Sequence, residues 1–458
     1  MPIAVPTSPD IARSDSHVYN LRYIYLLSLV AALGGLLFGF DLAIISGTVQ
    51  FFSDYFRLDT IETGWAVGCI NVGAAAGALL AGKLSDSLGR KKTLILCALL
   101  FAVSGVGTGW AGSFILFVLF RLVSGVAVGA AALVCPMYIA ETVPAPLRGR
   151  LVATYQLAIT SGILLAYLAN YLLLNTGENN WRWMFCSQSV PAIFFFFSLF
   201  LVAESPRWLI RKQQEEAAGW VLTRIGGAQY ARQESAAIRQ SFSQEVKESI
   251  RDLFRRDALR IVLIGMGIAV FSQADGQNSL FSYAPEIFQQ AGMSKDSAFL
   301  QSVILGGINF VFTFVAIGTI DKLGRRFLLL GGAALLSIDA LALAAAFYFQ
   351  WPGYWVLTFV LGFIAIYAAT LGPVTWVALS ELFPNRIRGN AMALATLALW
   401  LANFMTTASF PIMKAQFGLP VTFGMHAGIC LIYFVFVKTN VPETRGKSLE
   451  AIEQMLIK

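Results

Sequence analysis

Asp86-Ser87-Leu88-Gly89-Arg90-Lys91 has a near copy in the second half of the chain, Asp321-Lys322-Leu323-Gly324-Arg325-Arg326. Each copy precedes an apolar segment. Each is followed at a similar distance by a Glu and an Arg-Gly pair: Glu141-Thr142-Val143-Pro144 with Arg148-Gly149, and Glu381-Leu382-Phe383-Pro384 with Arg388-Gly389. The chain therefore contains the same unit twice.

The composition indicates a membrane protein. Of 458 residues, 57% are hydrophobic, 13% are charged and 36 are Phe, and the mean hydropathy is +0.68, so the apolar surface exceeds what a soluble core buries. Parallel repeats in a membrane chain are typical of secondary transporters, which hold their substrate between the halves near mid-membrane. Five Cys lie in apolar segments, and because they are odd in number we expect them to be packing residues, without disulfide, metal or cofactor: Cys69, Cys97, Cys135, Cys186 and Cys430.

Twelve mostly apolar segments, six before and six after a charged stretch, are each long enough to cross the hydrocarbon layer. Numbered as spans 1 to 12 in chain order, they lie near 25–47, 61–82, 93–113, 114–139, 151–173, 184–203, 260–283, 299–320, 327–349, 353–380, 389–413 and 420–438. We therefore expect an all-α membrane protein. The predicted parts are a polar N-terminal tail (1–21), a first six-helix bundle (22–203), a cytoplasmic helical linker (204–258), a second six-helix bundle (259–438) and a cytoplasmic C-terminal tail (439–458).

Positive charge predicts the orientation of these segments. Lys and Arg follow spans 2, 4, 8 and 10, and the loops that carry them are expected to stay in the cytoplasm, together with both termini. The first 20 residues lack the apolar run of a signal peptide, and a bacterial cytoplasmic membrane fits best. Since these loops explain the net charge of +7, no basic face is left for nucleic acid.

Eight short motifs in order resemble those of the sugar porter family of the major facilitator superfamily, from Leu36 to Ile452. The resemblance implies a major facilitator fold of two six-helix bundles that moves a sugar by alternating access. The motifs are Gly39-Phe40-Asp41, Asp86-x-x-Gly89-Arg90-Lys91, Arg121-x-x-x-Gly125-x-x-x-Gly129, Glu204-Ser205-Pro206-Arg207-Trp208, Gln273-x-x-Gly276-x-Asn278, Asp321-x-x-Gly324-Arg325-Arg326, Gly372-Pro373-x-x-Trp376 and Pro442-Glu443-Thr444-Arg445-Gly446.

The repeated charged loops are expected to act as a latch, because Asp and Arg at helix ends can pair in one conformation and separate in the other. The alternative is that they only anchor the spans, although the positive-inside rule requires no acidic residues there. By resemblance, eleven residues form a cytoplasmic salt-bridge network that holds the outward-facing state: Asp86, Arg90, Glu141, Arg148, Glu204, Arg207, Asp321, Arg325, Glu381, Arg388 and Glu443.

Ionisable residues inside apolar spans are functional candidates, because each costs about 2.5 to 3.5 kcal/mol on insertion scales. We expect Asp41 in span 1 and Arg121 in span 4 to couple transport to a proton, since burial disfavours the charged carboxylate and a guanidinium favours it. The resemblance adds that an acid at the position of Asp41 marks proton-coupled members. The alternative is a static pair that fixes helix packing. Asp339 and His426 are assigned structural roles, because the family gives their spans an outer position.

Sugars are recognised by amide and hydroxyl hydrogen bonds and by an aromatic face. Three polar side chains usual in the family are replaced by Ser272, Ser282 and Leu399, so the sugar cannot be named. An isolated amide such as Asn309 is equally expected to bond one helix to another. By resemblance, the sugar-contacting or pocket-lining residues are Phe38, Gln156, Gln273, Asn278, Asn309, Trp376 and Trp400.

Asp275 and Gln277 stand where apolar residues are usual in the family. One role for Asp275, one helical turn after Ser272, is a substrate contact that shifts preference from glucose toward another hexose, a pentose, a polyol or an amino sugar. The other role is to accept backbone N–H groups that are freed where Gly276 breaks the span. The sequence leaves both roles open.

The sequence thus predicts a secondary active transporter that imports a sugar or polyol together with a proton. A facilitative uniporter, or an exporter of a related small polar molecule, is the alternative. A membrane sensor is disfavoured by the short tail beyond Arg445, and an enzyme by the lack of a nucleophile–base pair or phosphate loop. The expected partners are the sugar or polyol, the proton and the lipid bilayer, and a monomer is expected.

Overall fold

The computed structural model describes residues 19–243, 253–384 and 387–445, and the regular elements within these ranges are helices. The first half contains six spans. Asp59 and Glu62 begin span 2 with reciprocal bonds between each side chain and the other residue's N–H, which satisfy two free helical donors. The spans are Leu21–Ile44, Thr60–Leu88, Arg90–Gly109, Phe114–Thr142, Ala145–Leu173, and Asn180–Ser187 continued by Ser189–Ser198; a short helix, Val49–Phe56, follows span 1, and 3₁₀ turns cover Ile45–Gly47 and Leu199–Leu201.

Two helices, Pro206–Arg211 and Glu215–Ser243, follow the first half. The longer one is kinked at Gly226 and Gly227 and contacts the start of span 1, where the Asn20 N–H donates to the Ile225 carbonyl at 2.8 Å. Residues 244–252 of the predicted linker lie outside the described residues.

The second half repeats the arrangement, with two of its spans broken. Span 7 is broken at Gly276, whose φ is +99°, and span 10 is broken at Thr370. Its helices are Arg256–Ala274 and Gln277–Gln290 (span 7), Lys295–Leu323 (span 8), Arg325–Tyr348 (span 9), Gly353–Ala369 and Leu371–Leu382 (span 10), and Arg388–Asn440.

Eleven helical segments among the described residues are long and apolar enough to cross a membrane. The last, Arg388–Asn440, has 53 residues and leaves helical geometry at Gly418, which has a φ of +75° and precedes Pro420. This helix therefore holds spans 11 and 12. The predicted all-α fold of twelve spans is confirmed.

Small residues allow the spans to pack closely. A Cβ added at Gly125 of span 4 would overlap the Ile70 carbonyl oxygen of span 2, and one at Gly129 would overlap that of Ala74. Close approach of backbones through such residues is how helices associate where lipid removes the hydrophobic drive. The Arg121-x-x-x-Gly125-x-x-x-Gly129 motif thus places Arg121 on the face of span 4 that looks into the first bundle.

The ends of spans 2 and 8 and the starts of spans 3 and 9 carry the repeated motifs and are called the motif end. Toward the opposite end, the two halves are in direct contact. Asn71 of span 2 donates to Thr407 of span 11 at 3.3 Å, and the Tyr167 hydroxyl of span 5 donates to the Phe281 carbonyl of span 7 at 2.8 Å.

Candidate functional site

Asp41 and Arg121 lie in contact inside the first bundle, with 0% and 1% of their surfaces exposed. The Asp41 Oδ1 accepts a hydrogen bond from the Arg121 Nη1. The Asp41 Oδ2 accepts from the Ser124 hydroxyl and, at 3.1 Å, from the Gln188 Nε2. The carboxylate is thus held by one cation and two neutral donors, from spans 4 and 6.

Ser124 and Gln188 are functional candidates that sequence reasoning missed. Ser124 follows Arg121 by three residues and so lies on the same helical face, which is a signal the sequence contains. Gln188 is an amide in span 6, where it joins the two helices of that span. The Gln188 Nε2 also lies 3.3 Å from the Ser124 hydroxyl, which completes a small polar cluster.

The Asp41 carboxylate and the Arg121 guanidinium compensate each other's charge inside the first bundle. Taking both charges out of water is unfavourable, and removing one partner of such a buried pair typically costs about 3 to 5 kcal/mol because the other charge is left uncompensated. Any movement of span 4 that separates the Arg121 guanidinium from Asp41 therefore leaves the carboxylate without its cation.

The break in span 7 brings three amides together. The Gln273 Oε1 accepts from the Asn278 Nδ2 at 2.7 Å and from the Gln277 Nε2 at 3.5 Å, and all three residues are buried. The Gln273 Nε2 in turn lies 3.4 Å from the Ser272 hydroxyl. We call Gln273, Gln277 and Asn278 the span 7 amides; they present several donors and acceptors in one place.

Aromatic residues from the two halves are in contact with each other. The rings of Phe38 in span 1 and Trp400 in span 11 lie 5.7 Å apart between centroids. Trp400 is 2% exposed, and its Nε1 makes no hydrogen bond to the described residues. In contrast, Trp376 in span 10 is 36% exposed and free to contact a small molecule.

The remaining candidates are placed on the expected spans. Gln156 of span 5 is half-buried, and Asn309 of span 8 is 3% exposed. The structure describes no side-chain hydrogen bond that joins either amide to the span 7 amides. Their part in binding therefore stays a prediction.

Asp275 is held differently from Asp41. Its Oδ1 accepts the Gln277 N–H at 3.0 Å, and it has no exposed surface. Its neighbours are on span 12: the Cys430 thiol lies 3.8 Å from its carbonyl, and the His426 ring packs against Gly276. Of the two roles left open by the sequence, the geometry favours capping at the break, because the carboxyl does not join the span 7 amides.

A cluster of charges at the motif end ties together the first half. Arg90 is 6% exposed and forms a bidentate pair with Glu141, with both N–O distances at 2.9 Å, and a third bond to Asp86 at 3.1 Å. The Glu204 carboxylate accepts the N–H groups of Arg90 and Lys91, at 2.9 and 3.1 Å. An anion at these free donors is stabilised at the start of span 3.

The second half repeats this cluster. Arg325 contacts Glu381 and Asp321, each at 2.9 Å, and the Glu443 carboxylate accepts the N–H groups of Arg325 and Arg326 at 3.1 Å. We call these the first and second motif-end clusters. Their members are Asp86, Arg90, Glu141 and Glu204 in the first, and Asp321, Arg325, Glu381 and Glu443 in the second.

The single network expected from the resemblance is thus divided, because each of these ion pairs lies within one half. The other three expected members are found elsewhere. Arg207 lies over the Phe242 ring at 5.3 Å, the Arg388 Nε donates to the Phe383 carbonyl at 3.2 Å, and Arg148 lies near Tyr230 of the linker. Arg148 and Arg388 lie at corresponding positions of the two repeats, in the first turns of spans 5 and 11.

Glu204 is the titratable member that burial affects most clearly. Burial raises the pKa of its carboxyl, and the N–H groups of Ser205, Lys91 and Arg90 oppose that rise by stabilising the anion. The first motif-end cluster therefore takes up a proton at a higher pH than an ordinary glutamate would.

The sequence profile of the family described as "Sugar (and other) transporter" matches residues 27–456. The chain belongs to this family. It is 36% identical over 457 residues to the arabinose-proton symporter of Bacillus subtilis (strain 168), with 98% of each chain covered. It is 38% identical over 475 residues to the D-xylose-proton symporter of Escherichia coli (strain K12), and the alignment covers 95% of this chain and 96% of the symporter.

Among solved structures, this transporter is similar to the inward-open conformation of the xylose transporter XylE from E. coli. The TM-score is 0.86 at 37% sequence identity, with 94% of this chain and 100% of the other covered. The major facilitator fold expected from the motifs is therefore confirmed, and the relatives are transporters rather than enzymes.

Proposed function

We propose that this protein imports a sugar or a sugar-like polyol together with a proton by alternating access. The observation that carries the proposal is the fully buried Asp41, paired with Arg121 at the centre of a transporter bundle. A buried carboxylate that a guanidinium holds in its charged form can exchange a proton when the pair moves. The names of the relatives, an arabinose-proton symporter and a D-xylose-proton symporter, agree with it.

The proposed substrate site lies between the halves. The span 7 amides supply hydrogen bonds to sugar hydroxyls, and the Phe38 and Trp400 pair supplies an apolar wall from both halves. Trp376, Gln156 and Asn309 complete the site on spans 10, 5 and 8. A site built by both bundles can be opened from either side when they rock against each other.

We assign the motif end to the cytoplasm, because the Lys and Arg of the short loops lie there. Both termini and the linker helices then lie on the cytoplasmic side. In this orientation the closed contacts, Asn71 with Thr407 and Tyr167 with Phe281, are external, so the arrangement is inward-facing. The motif-end clusters are proposed to keep each half rigid, while Arg148 and Arg388 cross to the other half in the outward-facing state.

The proposed organisation is a monomer in a bacterial cytoplasmic membrane. It comprises an N-terminal tail (1–21), two six-helix bundles (22–203 and 259–438), a linker (204–258) and a C-terminal tail (439–458). Residues 1–18, 244–252 and 446–458 of these parts lie outside the described residues.

Coupling to one proton would allow accumulation. A membrane potential of 100 mV supplies about 2.3 kcal/mol per charge, which at about 1.4 kcal/mol per decade corresponds to roughly fifty-fold enrichment. A facilitative uniporter cannot enrich its substrate at all.

Uptake into proteoliposomes tests the proposal. A panel of labelled pentoses, hexoses, polyols and amino sugars is offered with and without an imposed pH gradient, while external pH is recorded. We expect at least one sugar or polyol to accumulate only with the gradient and to make the medium alkaline. Equilibration without accumulation would indicate the uniporter, and net outward movement the exporter.

A further inference from the structure

The break in span 7 contains a carboxyl group that is only half satisfied. The Asp275 Oδ1 accepts the Gln277 N–H at 3.0 Å, which caps the helix Gln277–Gln290. The Asp275 Oδ2 is buried and makes no hydrogen bond to any residue that the structure describes. A buried polar atom without a partner is uncommon in a folded protein and points to something bound there.

Span 12 closes over this break. An added Cβ at Gly276 would lie 2.7 Å from the His426 ring, so the ring and the backbone are in direct contact. The His426 Nδ1 lies 3.3 Å from the Ala274 carbonyl oxygen and can donate a hydrogen bond to it. Within the described residues, His426 forms no ion pair with Asp275.

The other titratable side chains near the carboxyl are two hydroxyls and a thiol. They are the Tyr367 hydroxyl of span 10 and the Cys430 thiol and Tyr433 hydroxyl of span 12. Within the described part of the chain, Asp275 forms no ion pair with Lys or Arg. An ionised Asp275 would have only one backbone N–H in place of its lost water.

The contrast with Asp41 indicates which form of Asp275 is compatible with this site. Asp41 has a guanidinium, a hydroxyl and an amide as donors, which compensate its charge. An uncompensated buried carboxylate is penalised by several kcal/mol. A carboxylic acid avoids this penalty and still accepts the Gln277 N–H through its carbonyl oxygen.

We propose that Asp275 is a second proton-binding site of this protein, located in the second half and separate from the Asp41 pair. The proton makes Asp275 a neutral cap for the helix Gln277–Gln290. Loss of the proton places an unpaired charge at the break and displaces Gln277 and Asn278 from Gln273. The displacement of the amides affects function only if the proposed sugar transport is correct. The proton bound at Asp275 does not depend on that proposal.

Infrared spectroscopy of the purified full-length protein at neutral pH tests the proposal. We expect the infrared difference spectrum of wild type minus Asp275→Asn to contain the C=O absorption of a carboxylic acid. This absorption should shift in heavy water. The control is Glu178→Gln, which removes an exposed acid and should keep the absorption. If Asp275→Asn does not fold, Asp275→Glu keeps the acid and should move the absorption. A difference spectrum with carboxylate bands only, in whichever variant folds, overturns the proposal.

A second measurement separates this proposal from the proposed function. Counterflow of D-xylose and of L-arabinose is followed with equal pH on both sides of the vesicle, from mildly acidic to alkaline. We expect exchange by wild type and Glu178→Gln to fall at alkaline pH, and exchange by Asp275→Asn to fall less. An equal decline in all three contradicts the role of the proton at the break. If neither sugar exchanges, the choice of sugar is wrong, and the infrared result alone decides the proposal.

Discussion

Two acids inside the spans differ in what surrounds them. Asp41 is surrounded by donors from spans 4 and 6, whereas Asp275 has a single backbone donor and the uncharged side chains of spans 10 and 12. The charge of the carboxyl group is therefore compensated by several donors in one half and by a single backbone donor in the other. Residue type alone does not distinguish these two situations.

Replacing Trp376 by Ala should weaken binding of the transported sugar. The indole is 36% exposed in a span that lines the proposed site, and an aromatic ring against a sugar is a hot-spot contact of about 1 to 3 kcal/mol. Equilibrium binding to purified protein measures the effect. Trp183→Ala is the control, because Trp183 is 50% exposed and packs on Trp110. Unchanged binding in Trp376→Ala would make Trp376 a packing residue.

Replacing Glu204 by Gln should change how stability depends on pH. Because burial raises the pKa of Glu204, the protonated form is favoured in the folded state. Relative to Glu204→Gln, the wild type should gain thermal stability as pH falls through the raised pKa toward the ordinary value of 4.5, and lose that gain as pH rises again. Melting midpoints in detergent at a series of pH values measure the difference. A parallel pH dependence in the two proteins would contradict the assignment.

At the scale of single elements, the break of span 7 was foreseeable from Gly276, and its geometry was not. The sequence indicated that a glycine allows the helix to stop, and the family resemblance indicated that Asp275 and Gln277 stand where apolar residues are usual. It could not indicate that Gln277 turns toward Gln273 while Asp275 turns toward span 12. That choice depends on His426 and Cys430, which reach the break only after the second bundle has packed.

The cap at this break predicts a graded pair of variants. Asp275→Ala removes the acceptor of the Gln277 N–H and should weaken sugar binding, because a buried donor left without a partner costs about 1 to 3 kcal/mol. Asp275→Asn keeps an oxygen acceptor and should bind more tightly than Asp275→Ala. Both are measured by equilibrium binding. Equal losses in the two variants would argue against capping and in favour of a direct contact through the acid.

The motif-end clusters predict matched effects in the two halves. Arg90→Ala or Arg325→Ala leaves a Glu and an Asp without their shared donor, and should slow transport more than it weakens binding. Arg211→Ala is the control, since this exposed side chain only reaches Asp86 at 3.6 Å. Rates and affinities that fall equally in Arg90→Ala and Arg325→Ala would count against a conformational role.

At the scale of the whole molecule, the fold follows from the sequence because hydrophobic length and charge placement determine it. Twelve apolar segments and a repeated charged loop were sufficient. The donor Gln188 was not predicted, since a partner from another span is brought to Asp41 only by helix packing. Ser124 was missed although its spacing from Arg121 is a signal in the sequence. The division of the charged network was not predicted either, because the sequence carries no information on which state the halves adopt.

In the proposed inward-facing arrangement, the contacts of span 2 with span 11 and of span 5 with span 7 must separate for the opposite state to form. Because Asp41 and Arg121 both belong to the first half, the pair moves with that bundle when the halves rock. The proposed proton exchange therefore also needs span 4 to shift within the bundle.

Accumulation by Asp41→Asn in proteoliposomes tests the central claim most directly. The substitution keeps the shape and hydrogen-bonding capacity of the side chain and removes the group that titrates. With an imposed pH gradient, we predict that uptake stops at equal concentrations, while counterflow exchange of the same sugar persists. Continued accumulation against the sugar gradient by Asp41→Asn would contradict the account.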